Sequence, residues 1–161
     1  MNGVRVLFIP SAAITPETLH YVELCRDELL SVGVKRDNIL DYDLIDDKRG
    51  ELPQVFEVNY VCVGYTLHLL SVVRRTGFDK IIRDSVAQGS LYGVSAGSII
   101  LGPIVKHETG LCLHDAAIYP HYSDAHADQV RALEKGGCSV MPLRDNQAVL
   151  VRKGRPAELI E

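Results

Sequence analysis

A chain of 161 residues with a net charge of −4 is the size of one compact domain, and its 47% hydrophobic and 24% charged residues exclude a disordered, collagen-like or coiled-coil polypeptide. With 17 basic residues against 21 acidic ones there is no concentrated Lys/Arg footprint, so nucleic acid is not an expected partner. The longest uncharged apolar stretch, Leu91 to Val105, is broken by glycines, serines and a proline and falls short of the roughly 20 residues that cross a bilayer, so no membrane is expected either.

The apolar run at the N-terminus is too short and too weakly charged for a secretory signal, which makes the cytoplasm the expected location. Cys25, Cys62, Cys112 and Cys138 stand far apart without a C-x-x-C pair. They read as reduced, buried small hydrophobes, and no metal site is expected of them.

Val4 to Ile9, bounded by Gly3 and Pro10, predicts a buried strand. Thr15 suits an N-cap and Pro16 a first helical turn, and Leu19, Val22, Cys25 or Arg26, Leu29 and Leu30 recur at helical spacing until Gly33. Asn38 to Leu44 predicts a second strand, Asp46 to Gly50 a charged turn, Val58 to Val63 a third strand, and Thr66 to Arg75 a helix. Phe78, Ile81, Ile82 and Val86 mark a further helix closed by Gly89. Ser90 to Val94 follows as a strand and Ala96 to Leu101 as a helix start.

Beyond Gly110, Leu111 to Tyr119 reads as extended and Asp124 to Lys135 as an amphipathic helix. Cys138 to Met141 and Ala148 to Val151, flanking Arg144-Asp145-Asn146-Gln147, read as a hairpin. Alternating strands and helices with buried apolar strands predict an α/β fold of three layers. A mainly parallel sheet carries helices on both faces and an antiparallel edge, in a single domain over residues 1–161.

Gly93-Val94-Ser95-Ala96-Gly97 matches G-x-S-x-G at the point where a predicted strand turns sharply into a predicted helix. A serine there is held in strained backbone with its hydroxyl raised above the sheet. Small neighbours are needed because strand and helix approach closely, and the next N–H faces a developing oxyanion. The same residues also suit a serine N-cap for the helix at Ala96, or a phosphate-holding turn, and on these five residues alone the readings stand side by side.

A nucleophilic serine needs a base. His20 and His68 fall inside predicted helices among apolar neighbours, and His107 and His114 in a polar loop. His121, in Tyr119-Pro120-His121-Tyr122 at the end of an extended segment, is the best base candidate, because sites of open α/β sheets assemble at strand ends.

Phe8-Ile9-Pro10-Ser11-Ala12, Gly93-Val94-Ser95-Ala96-Gly97-Ser98, Pro120-His121-Tyr122 and Asp145-Asn146-Gln147-Ala148, in that order along almost the whole chain, resemble the peptidase E and cyanophycinase family of serine peptidases. The resemblance implies a fold related to class I glutamine amidotransferases. It also implies cleavage of peptide or isopeptide bonds next to aspartate by a serine, a histidine and an acid, with a small peptide as the bound partner and no cofactor or metal. Ser95 takes the role of nucleophile and His121 that of general base.

The family's Gly-Gly-Asn-Thr turn, which gives an oxyanion-hole N–H, is replaced here by Val63-Gly64-Tyr65-Thr66, leaving Gly64 to donate beside Ala96. The resemblance puts the acid between the nucleophile helix and the histidine, where Glu108 is favoured over Asp115. Arg131, on the predicted helix beyond His121, is the nearest cation for a substrate carboxylate, with His126 the second option.

The shortened turn and acid loop also fit a non-catalytic binding domain on the same fold, and the same triad fits a hydrolase of other small amides or esters. A homodimer would match the common habit of small α/β enzymes.

Overall fold

The computed structural model describes residues 3–46, 56–152, 155 and 157–161. They fall into two compact units that meet in sequence between Gly97 and Ser98.

The first unit is built on four parallel strands, β1 (Val6–Ile9), β2 (Ile39–Asp41), β3 (Val58–Val61) and β4 (Leu91–Gly93), in the order β2-β1-β3-β4. Three helices connect them: α1 (Pro16–Ser31), α2 (Thr66–Thr76) and α3 (Asp79–Gln88). α1 starts where the sequence predicts, with Thr15 and Thr18 exchanging side-chain to backbone hydrogen bonds and Pro16 in the first turn. α2 and α3 end on Gly77 and Gly89, both in the left-handed conformation that spares a glycine the Cβ penalty.

Because side chains alternate across a strand, the two sheet faces bury different sets. Val6, Phe8, Tyr60 and Cys62 meet Val22 and Cys25 of α1 together with Val34. On that face Phe8, Tyr60 and Tyr92 stack in a row across β1, β3 and β4 at centroid spacings of 5.4 and 5.1 Å. The buried Arg26 of α1 lies over Phe8 at 4.5 Å and pairs with Asp41 of β2 at 2.9 Å. On the opposite face the Asn59 amide of β3 donates to the hydroxyl of Ser85 in α3 at 3.0 Å, both residues being buried. The parallel sheet therefore has helices on both faces, and the expected three-layer α/β class holds.

β2 is shorter than the predicted strand. Asn38 closes a 3₁₀ turn by donating to Lys35, and the Leu44 N–H is taken by the Ser11 hydroxyl at 2.8 Å, which leaves fewer backbone groups for the ladder. The charged turn expected at Asp46 to Gly50 lies, past Asp46, outside the described residues.

α4 (Ala96–Ile99) follows β4 and stops short of the predicted Leu101. In the second unit β5 (Ile104–Val105) and β6 (Glu108–Thr109) form a short antiparallel hairpin. β7 (Ala116–Tyr119), α5 (Ala127–Lys135) and β8 (Ser139–Pro142) form a parallel crossover, with Tyr119 opposite Pro142. β9 (Ala148–Leu150) pairs with β10 (Glu158–Ile160) instead of β8. This corrects the predicted hairpin. A helix between two extended runs returns the chain in the same direction, so the first partner of β8 is β7 across α5.

Candidate active site

Ser95 sits between β4 and α4 with φ +48, the left-handed region that costs a residue with a side chain about 1–2 kcal/mol. The strain is imposed by close packing. Val94 donates to the Val61 carbonyl at 2.9 Å, and Gly97 donates back to Val94 at 2.8 Å, folding the chain sharply around the serine. A Cβ on Gly97 would lie 2.2 Å from the Val61 carbonyl oxygen, so the second glycine of the motif is dictated by the approach of α4 to the end of β3.

Gly64 lies just beyond the carboxyl end of β3, the strand that neighbours β4, in the region where open parallel sheets place their sites. Its φ is +146, and an added Cβ would fall 2.2 Å from the Ala12 carbonyl oxygen, which also accepts from the Tyr65 N–H at 2.8 Å. The turn at Gly64 is thus pinned to the turn after β1. Ala96 is fully buried directly after the serine. His68 sits further along α2, and its buried Nε2 has no hydrogen-bond partner among the described residues, while His20 is exposed on α1.

The second unit brings together His121 and a carboxylate that the sequence reading left in a turn. His121 Nδ1 is 2.6 Å from Asp145 Oδ1. The two residues follow β7 and β8, and Leu143 holds the emerging segments together by donating to Tyr119 and accepting from Tyr122, both at 2.9 Å. His121 itself has φ +58. Both side chains are open to solvent, at 64% and 81% exposure.

Asp145 stands against His121 Nδ1, whereas the acid expected from the resemblance is Glu108. Glu108 stands exposed in β6, opposite Val105, and Asp115 is exposed just ahead of β7. Asp145 belongs to the Asp145-Asn146-Gln147-Ala148 motif, which the sequence pattern alone places at the tip of a β8–β9 hairpin.

Arg131, expected to meet a substrate carboxylate, is paired with Asp128 one turn back on α5 at 2.5 Å. His126 accepts the Ser123 N–H on its Nδ1 at 3.0 Å, capping the 3₁₀ turn Asp124–His126 that leads into α5. His107 is exposed beside the β5–β6 turn, and His114 is half-buried.

Cys25, Cys62 and Cys138 are buried as expected, with burial pushing the Cys25 and Cys62 thiols up, but Cys112 is exposed in a turn with φ +51. Among the described residues no group of three or more His, Cys, Asp or Glu side chains could hold a metal ion, and no helix is long and apolar enough to cross a membrane.

A strained serine between a parallel strand and a helix, on an α/β fold that also carries a histidine–carboxylate pair, defines the class as a serine-type peptidase when joined with the chain's relatives. The chain belongs to peptidase family S51, whose model matches residues 1–159. It is 30% identical over 175 residues to an uncharacterized peptidase of Listeria monocytogenes, covering 94% of this chain and 84% of that one. Identity to a peptidase E of a Nostoc species is 32% over 133 residues, covering 75% of this chain and 53% of the relative. A crystal structure of a candidate peptidase E from Listeria monocytogenes superposes with a TM-score of 0.81 at 27% identity, covering 99% of this chain and 86% of that one. The chain is a peptidase of the peptidase E type.

Proposed function

We propose that the chain hydrolyses short peptides next to aspartate, with Ser95 as nucleophile, His121 as general base and Asp145 as the acid that orients it. Ser95 Oγ attacks the peptide carbonyl carbon while His121 Nε2 takes its proton, and the N–H groups of Gly64 and Ala96 hold the oxyanion. Collapse of the tetrahedral intermediate breaks the C–N bond, and His121 returns the proton to the leaving amine. A water then attacks the acyl-enzyme by the same route, releasing the acid product and restoring Ser95.

The observation that carries this reading is the 2.6 Å contact between His121 Nδ1 and Asp145 Oδ1. A carboxylate there selects the tautomer that leaves Nε2 free to accept a proton and stabilises the imidazolium formed during attack. The positive φ of Ser95 supports it independently.

The aspartate preference rests on the family relationship, with Arg131 the candidate cation once released from Asp128. Hydrolysis of Asp-X, Glu-X and Ala-X dipeptides by the wild type, Ser95→Ala and His121→Ala tests the whole assignment. Release of amino acids from Asp-X by the wild type, abolished in both variants, is expected. A folded wild type no faster than Ser95→Ala would instead favour the non-catalytic binding domain.

A further inference from the structure

The His121–Asp145 contact joins two exposed side chains, so burial does not hold it. The backbone brings the two loops alongside each other as far as Leu143, and Arg144 is the next residue. Its guanidinium reaches across to the histidine loop, donating from Nη2 to Asp124 Oδ1 at 2.7 Å and lying over the Tyr122 ring at 5.5 Å. Its own N–H donates to Gln147 Oε1 at 3.0 Å, which closes the turn that presents Asp145.

The receiving surface is itself organised. Tyr122 meets Tyr119 edge-on at 6.5 Å and lies 6.5 Å from His126, whose ring is fixed by the Ser123 N–H. Arg144 and Asp145 are neighbours on one loop, while Tyr122 and Asp124 follow His121 on the other.

We propose that Arg144 is a positioning residue that clips the acid-bearing loop to the base-bearing loop and so fixes the His121–Asp145 geometry. This rests on the reading of Asp145 as the orienting acid. The choice of arginine follows from the contact: a planar guanidinium can cover an aromatic face and fork to a carboxylate at once, whereas a lysine ammonium supplies only a point charge. An exposed ion pair adds little to stability, but a small misplacement of a catalytic group slows chemistry strongly, so the clip acts on rate and not on folding.

The test uses a fluorophosphonate, which reports on an activated serine without knowledge of the peptide substrate. Ser95 Oγ attacks phosphorus, fluoride leaves, and His121 takes the hydroxyl proton. Saturation kinetics separate the inactivation rate constant from the reagent's binding constant.

Arg144→Ala is expected to lower the rate constant about tenfold or more while reagent binding stays within about twofold and the melting temperature within about 4 °C. Arg144→Lys should recover part of the rate. Asp124→Ala should slow the reaction in the same direction, and the double variant should be no slower than Arg144→Ala, because both changes remove one contact.

A wild-type rate in Arg144→Ala, or losses from Arg144 and Asp124 that multiply, would overturn the clip. Asp145→Asn separates the two levels. If it is slow while Arg144→Ala is not, the clip alone fails. If it reacts at the wild-type rate, or if the wild type is not labelled, the Ser95–His121–Asp145 reading fails and the clip with it.

Discussion

The two units position their functional side chains by different physics. Around Ser95 the work is done by packing: β1 is buried along its whole length, Gly64 and Gly97 press against backbone carbonyls, and the strained φ of the serine has no room to relax. Around His121 and Asp145 it is done by hydrogen bonds and ion pairs between exposed groups. A packed site resists displacement but tolerates no added atom, whereas a site held by polar contacts accepts substitutions without unfolding and loses alignment instead. The comparison therefore predicts that changes in the first region appear mainly in stability, and those in the second mainly in rate.

The largest effect tests the polar side. Asp145→Asn should lower kcat on the best dipeptide by about 10³–10⁴, equivalent to about 4–5 kcal/mol of transition-state stabilisation, because the wrong histidine tautomer is favoured. Its urea midpoint should match the wild type, since the lost pair is exposed and worth about 0–1 kcal/mol. A large drop in midpoint would show that the pair supports the fold and would break the distinction.

Phe8→Ala tests the packed side. Phe8 is fully buried, stacked on Tyr60 and covered by Arg26, so its truncation should cost about 3–5 kcal/mol in urea unfolding, by lost transfer energy and the cavity left behind. Gly97→Ala, an addition of one carbon, should cost about 1–3 kcal/mol, since its Cβ meets a backbone carbonyl that is held in the sheet. It should also reduce the activity of the fraction that stays folded, because relieving the clash moves Ser95. Full activity and stability in Gly97→Ala would mean that the elbow is looser than its packing implies.

The same contrast explains which parts were legible from sequence. The elbow was readable because packing leaves a local signature: small residues around a serine between an apolar strand and a helix, with Gly97 required by the backbone of the adjacent strand. That His121 falls at a strand end was readable for a related reason, since it follows Tyr119-Pro120.

The pairing of Asp145 with His121 was not, because it depends on strand register. Only when β8 runs parallel to β7, with Pro142 opposite Tyr119, do residues a few positions beyond each strand come together. Reading β8 and β9 as a hairpin removed that juxtaposition. The intervening α5, whose length suits a crossover, was the feature that could have restored it. Arg131 illustrates a different miss, since the i,i+3 spacing of Asp128 and Arg131 on the predicted helix already favours their pairing over a free cation.

The smallest effect sharpens the comparison inside the second unit, where one histidine is partly packed. Burial holds the His114 imidazole below its ordinary pKa of 6.5, against the opposing pull of Asp115. Its folded pKa therefore lies below its unfolded one, and the unfolded chain binds the proton first as the pH falls. The stability this contributes is fully present above pH 6.5 and is lost as the pH drops through the lower folded value.

Urea unfolding of the wild type and His114→Gln at pH 7.5 and at successively lower pH should thus show the wild type losing more stability than the variant across that window. Groups that do not touch His114 are common to both chains and cancel in the difference. Parallel curves would mean that His114 is solvated like the exposed groups around His121, and that packing plays no part in setting ionisation in this half of the molecule.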